Sequence, residues 1–122
     1  MSFSLIRFNL IDPSLNPETL SSRYKAMLEM AEFADKNGFF MATFEEHHGA
    51  DNAWSPTPLI NAATVLARTT NLSASISALL LPLHDPIRVA EDIAVIDLMS
   101  GGRLNVIFGL GYRPSEYQLM GK

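Results

Sequence analysis

Apolar residues occur along this chain in short runs separated by longer amphipathic stretches, and the two kinds alternate in a fixed order. Phe3 to Leu10 is apolar and β-prone and ends in the breaker-rich IDPSLNP, where Asn16 can cap a helix that begins at Pro17. Leu20, Tyr24, Met27, Leu28, Ala31 and Ala34 then recur at steps of three and four, which predicts an amphipathic helix stopped by Gly38. Phe39 to Phe44, apolar apart from Thr43, is too short for a core helix and predicts a strand covered on both faces. After the segment EEHHGADNAW, Ser55 or Thr57 can cap a helix through PLINAATVLART, and LSASISALLL alternates before turning fully apolar, a third strand. Pro82 and Pro86 bracket a turn. Asp85 can cap a helix that starts at Pro86 and keeps Val89, Ile93, Ile96 and Met99 on one face up to the Gly101-Gly102 stop, and Leu104 to Phe108 makes a fourth strand.

Strands that alternate with helical crossovers predict an α/β fold of parallel β/α units connected right-handedly. Four such units are half of an eight-stranded β/α barrel of about 250 residues. The expected domain is therefore one unit over residues 1–122, either the amino-terminal half of a TIM-type barrel or a small open sheet. A half-barrel would leave the edges of the first and fourth strands unpaired and inward-facing apolar residues uncovered, so the chain is expected to oligomerise or to be a truncated product.

Composition narrows the partners. The 122 residues are 48% hydrophobic and 18% charged, a globular balance, and the formal charge of −4 comes with no Lys/Arg run that would suit nucleic acid or an anionic membrane. No cysteine is present, which excludes a disulfide framework and a thiolate nucleophile, and leaves any metal to His and carboxylate ligands. MSFSLIRFNL carries Arg7 inside its apolar stretch and lacks a small-residue cleavage pattern, while Ala78 to Leu83 is too short to span a bilayer. The expectation is a cytoplasmic protein without membrane segments.

The residues able to do chemistry gather at carboxyl ends of the predicted strands, the rim that builds active sites in β/α folds. Asn9 and Asp12 follow the first strand, Glu45, Glu46, His47 and His48 the second, Ser77 and later His84 the third, and Gly109, Gly111 and Tyr112 the fourth. If the second strand continues through EEHH, at most one of Glu45/Glu46 and one of His47/His48 can face a common pocket. EEHH lacks the one-turn offset of a helical HExxH motif, so no metal site is expected. GLGYRPSE lacks the GKS or GKT ending of a phosphate loop, and Gly109 and Gly111 are better read as letting backbone approach a flat ligand or turn tightly. Met27 and Met30 read as fillers of core gaps, Trp54 as a cover for the loop or the wall of a pocket, and His84 as a turn residue or one that faces a ligand. Arg103 reads as structural, with Asp97 as a possible ion-pair partner.

Three separated motifs carry a resemblance. GFFMATFEEHH, ALLLPLHDPIRVAEDIAVIDLMSGGR and VIFGLGYRPSEYQLMG resemble, in order and over nearly the whole chain, the amino-terminal half of the luciferase-like flavin-dependent monooxygenases, which are β/α barrels. The resemblance implies reduced FMN and dioxygen acting on a small organic substrate such as an aldehyde, with a flavin reductase as a possible supplier of the reduced cofactor. It implies a catalytic role for His47, with His48 as its companion, and cofactor contacts from Glu46, Ser77, Ala78, Gly109, Leu110 and Gly111. It also implies a non-proline cis peptide at Ser77-Ala78 and a homodimer formed through Pro58 to Arg68 and Pro86 to Leu98. Tyr112 departs from the luciferase pattern, where an arginine tends to follow the second glycine. A related branch uses a deazaflavin coenzyme for hydride transfer, and a non-catalytic flavin-binding or assembly fragment is the remaining alternative. His47 has suitable chemistry for the oxygenase, because an imidazole titrating near neutrality can donate or accept a proton.

Overall fold

The computed structural model describes residues 3–122. It contains β1 (Leu5–Phe8), α1 (Pro17–Lys36), β2 (Met41–Phe44), α2 (Pro58–Arg68), β3 (Ser73–Leu80), a 3-10 turn at Leu81–Leu83, α3 (Pro86–Ser100), β4 (Leu104–Gly109) and α4 (Pro114–Leu119). The strands form one parallel sheet in the order β1-β2-β3-β4. Because each strand lies beside its predecessor, and α1 packs on α2 and α2 on α3, the sheet is wound in one sense with the three helices on one face. A doubly wound sheet would reverse its strand order; this progression is that of a β/α barrel opened after four units.

The start and stop signals act largely as their chemistry dictates. Asn16 Oδ1 accepts from the N–H groups of Glu18 and Thr19, and Asp85 Oδ1 from those of Ile87 and Arg88, so α1 and α3 begin with orphan donors satisfied and proline at the first helical position. Gly101, at φ 70°, closes α3 in the left-handed region. Thr57 occupies the cap position of α2 without a side-chain bond, whereas Ser55 is buried and accepts 2.7 Å from Asn61 Nδ2. The sequence did not announce α4, a six-residue helix that starts at Pro114 within GLGYRPSE and runs to Leu119.

Register fixes where the core lies. Ile6, Ala42, Ala74 and Leu104 align across the four strands, and so do Phe8, Phe44, Ile76 and Val106, all of them core or packed against it beneath the helices. Met27, Ala31 and Ala34 of α1 and Ala62, Val65 and Leu66 of α2 close that core from the helical side. Met27 fills it as expected, but Met30 is half exposed, because the helix turns its side chain out of the stripe.

The opposite face corrects the expectation of strands covered by apolar residues on both sides. Arg7, Thr43, Ser75 and Asn105 align in one row there, so the uncovered face of the sheet is substantially polar, with Leu5 and Ile107 as its exposed apolar members. Period-two alternation sends every second side chain to this face, and a short strand such as MATF cannot reveal which set is covered.

Two polar clamps fasten the helices to the sheet. Asp35, near the end of α1, accepts from the backbone N–H groups of Thr70, Asn71 and Leu72 at 2.9, 2.7 and 2.6 Å. Burial pushes the Asp35 carboxyl up, but these three donors outweigh it and hold the group below the usual carboxylate range. Arg103 turns away from Asp97 and donates to Ser100 O, Thr69 Oγ1, Leu72 O and Leu66 O within 3.1 Å. The expected ion pair is thus replaced by a fork that satisfies the ends of α2 and α3, a geometry that guanidinium suits better than ammonium. Among the described residues, no helix is long and apolar enough to cross a membrane.

Candidate functional site

A cleft of about 400 Å³ opens at the carboxyl ends of the strands. Arg7 of β1, Glu45, Glu46, His47 and Trp54 after β2, Ser77, Ala78 and Leu80 of β3, Gly109 at the end of β4 and Leu110 to Tyr112 after it line the cleft. The structure therefore gathers Glu46, His47, Ser77, Ala78, Gly109, Leu110 and Gly111 into one place. His48 lies outside this lining: its ring is turned behind Glu46.

The floor of the cleft is built on one close approach. Ser77-Ala78 is a non-proline cis peptide, and the sheet register slips between Ser77 and Leu79 where β3 faces β4. A Cβ at Gly109 would lie 2.9 Å from the Ala78 Cβ, so only glycine fits against that part of β3. Gly111 takes φ 78° and turns the chain toward α4.

Glu45 and Glu46 both reach the cleft, contrary to the alternation expected of a continuing strand, because β2 ends at Phe44 and the following residues leave the sheet. Glu45 pairs with Arg7, while its Oε2 is buried without a hydrogen-bond partner among the described residues. Glu46 is 2% exposed. Its Oε2 accepts from the Leu80 N–H at 2.6 Å, and its Oε1 lies 2.6 Å from His48 Nε2 and 2.5 Å from His84 Nε2. His84 thus works from behind the cleft wall through Glu46, rather than in the cleft itself.

His47 is held by a group that sequence reasoning missed. Glu116, on α4 and 1% exposed, places Oε1 3.0 Å from His47 Nδ1 and accepts from the His48 N–H at 3.1 Å. Since Oε1 already serves as an acceptor, it favours the imidazole tautomer protonated at Nδ1, leaving Nε2 as the basic nitrogen, without a hydrogen-bond partner among the described residues. The ring meets Trp54 edge-on at 4.3 Å, and Trp54 Nε1 is a buried donor with no acceptor among the described residues. Arg113 lies 6.0 Å from the Trp54 ring and 5.7 Å from that of Tyr112, capping the aromatic side of the cleft. The signal for Glu116 was present only as a carboxylate in an unrecognised helix, 69 residues from its imidazole.

Asn9 and Asp12 stay out of the cleft. Asn9 O accepts from the Ser55 N–H, and Asp12 binds Ser14, Thr19 and Arg23, so both brace the loop after β1. The Ser14 and Thr19 hydroxyls, the Ser14 N–H and nearby Arg23 hold the Asp12 carboxyl down at about 2 against a smaller opposing effect of burial.

Over residues 1–122 the chain matches the luciferase-like monooxygenase family and belongs to it. It is 28% identical over 120 residues to the flavin-dependent trigonelline monooxygenase oxygenase component of Acinetobacter baylyi, covering 98% of this chain and 33% of that protein. A monooxygenase from Streptomyces bottropensis superposes with a TM-score of 0.87 at 29% identity, over 99% of this chain and 36% of the other. The oxygenating constituent of 3,6-diketocamphane monooxygenase from Pseudomonas putida, solved with FMN, shares the fold with a TM-score of 0.88 at 21% identity, over 99% and 33% of the two chains. The chain spans about a third of the length of these relatives.

The residues present fit the ring system of a flavin rather than its phosphate. The glycine cradle against Ala78 offers a flat, close approach, and the orphaned Trp54 Nε1 and Glu45 Oε2 offer a donor and an acceptor. Arg7, the cation of the lining, is already paired with Glu45.

Proposed function

We propose that this chain forms the ring-binding part of a monooxygenase site that uses reduced FMN and dioxygen to oxidise a small organic substrate, an aldehyde being the simplest. The observation that carries this reading is His47, an imidazole fixed through Nδ1 by the buried Glu116 while its ring lines a cleft floored by Ala78 and Gly109. FMN would supply the electrons that activate oxygen. The chain's own part is to seat the ring against Ser77-Ala78 and Gly109-Leu110-Gly111, to keep Glu46 at the cleft wall, and to hold or release a proton at His47 Nε2. His48 supports this arrangement through Glu46 rather than by touching the ring. A flavin-dependent relative and an FMN-bound neighbour support the choice of cofactor.

The relative named as an oxygenase component supports a separate flavin reductase as supplier. Exposed Ile60, Val95, Leu98 and Met99 on α2 and α3 support a homodimer through those helices, and the cytoplasm suits a reduced cofactor that must reach the site by diffusion. A deazaflavin coenzyme is the second reading, which the fold shared with a coenzyme F420-dependent tetrahydromethanopterin reductase from Methanopyrus kandleri supports. Small-molecule partners remain the expectation, since among the described residues no cluster of basic side chains lines the cleft.

An anaerobic titration with reduced FMN tests the proposal, and a parallel titration with reduced deazaflavin separates the two cofactors. Saturable FMN binding at about micromolar concentration is expected. His47→Ala should keep that binding and lose oxygen-dependent oxidation of aldehydes in any protein that contains this chain and turns over. Binding without turnover in the unsubstituted protein would favour the assembly fragment, and oxidation that survives His47→Ala would remove His47 from the mechanism.

A further inference from the structure

We propose that Glu46, His48 and His84 form a binding site for one divalent transition-metal ion of the zinc class. The three residues come from the segment after β2 and the turn between β3 and α3, and their ligand atoms all lie within 4.8 Å of one another. Positions 46, 48 and 84 follow no sequence motif for metal; only the parallel pairing of β2 with β3 brings them together.

The donor set is two imidazoles and one carboxylate, a combination that suits zinc, cobalt, nickel and iron and leaves coordination positions open. Its geometry is convergent. Both Nε2 atoms point at the same oxygen, Glu46 Oε1, at 2.6 and 2.5 Å, and the side chain of Glu46 is fully buried. Two imidazole nitrogens converge on one carboxylate oxygen, and one dication placed among the three atoms would take over both interactions. The other carboxylate oxygen is held by the Leu80 N–H, an outer contact of the kind that orients metal ligands.

Accommodating an ion requires only a small opening. Donors bound tetrahedrally at about 2.0–2.1 Å stand about 3.4 Å apart, so the two rings must each retreat by about 1 Å. His84 can do so, because its side chain is 28% exposed in the turn before α3, and this exposure also gives the ion its path from solvent. His48, at 9% exposure, and Glu46 form the fixed side of the site. His47 takes no part, since its Nδ1 is committed to Glu116. A bound ion would tie the loop after β2 to the β3–α3 turn, stiffening the wall of the cleft without entering it.

Cobalt(II) titrated into the metal-free 122-residue chain, followed by visible absorption with zinc(II) as competitor, tests the site. The expected result is one ion per chain, at about micromolar concentration or below, displaced by zinc and raising the thermal midpoint. His84→Ala, His48→Ala and Glu46→Gln should each weaken binding by at least about tenfold, and His47→Ala should leave it unchanged. His84→Ala is the decisive variant, because its partly exposed ring can be removed without opening the core; its far-UV circular dichroism should match the unsubstituted chain. No saturable absorption change from folded protein, or cobalt affinity unaltered by His84→Ala, would overturn the assignment.

Discussion

Gly109→Ala puts the construction of the cleft floor to a quantitative test. The added methyl would stand 2.9 Å from the Ala78 Cβ and 3.7 Å from Leu80 Cδ2. Carbon atoms in comfortable contact sit about 3.5–4.0 Å apart, so the first approach is short by about 0.6–1 Å. Both atoms are fixed to backbone in paired strands, with Gly109 in register with Leu80, and neither can rotate away. Overpacking of this size costs about 1–3 kcal/mol. Gly109 has no positive φ, so alanine also restricts the unfolded chain and returns about 0.5–1 kcal/mol. At the middle of both ranges the net expectation is a loss of about 1 kcal/mol, which in urea, with a slope of about 1–3 kcal/mol/M, lowers the unfolding midpoint by about 0.3–1 M. The second arm is Ala78→Gly combined with Gly109→Ala. It removes the clashing partner and leaves only the flexible end of Leu80 nearby, so the double variant should recover stability with a coupling of at least about 1 kcal/mol. Reduced FMN binding should fall in the single variant, because the backbone must move apart where the ring would lie. A Gly109→Ala protein within about 0.5 kcal/mol of the original, or one whose loss is not relieved by the second change, would refute the close-approach argument.

The remaining predictions concern two carboxylates. Glu116→Ala removes the acceptor for the partly buried His48 N–H and for His47 Nδ1, which should cost about 2–3 kcal/mol in urea unfolding, while Glu116→Gln, keeping size and one acceptor oxygen, should cost less than half of that; nitrogen NMR of the His47 ring should show Nδ1 protonation in the original and a mixture of tautomers in the alanine variant. Asp12, whose folded carboxyl titrates at about 2 instead of 3.8, contributes stability that is fully present above about pH 4 and is lost as the pH falls toward 2. Asp12→Asn should therefore flatten the decline of the urea midpoint across that window, and an unchanged slope would show that the loop after β1 does not depend on this charge.

Legibility in the sequence tracked the range of the interactions. Asn16-Pro17, Asp85-Pro86 and Gly101 act within one helical turn, and each marked its helix end in the chain as it does in the structure. The second strand was legible with its end at Phe44, although it begins at Met41 rather than Phe39; left open was whether it ran on through EEHH, and its stop frees Glu45 and Glu46 to share the cleft. Arg103 was readable as structural, yet its partners are carbonyls of residues that lie near it only after α2 and β3 have packed. The α4 helix escaped because six residues give too little periodicity, and Glu116 escaped with it.

By itself the sequence determined the order of four strands and three helices, the caps of α1 and α3, the family and the place of EEHH at the rim, because periodicity, capping and motif order are properties of neighbouring residues. Tertiary structure alone decided which face of the sheet is apolar, which of two adjacent histidines enters the cleft, and which carboxylate holds each imidazole. Those outcomes depend on strand register and on contacts between residues tens of positions apart, and a hydrogen bond between His47 and Glu116 exists only once β2 and α4 have been brought to the same end of the sheet.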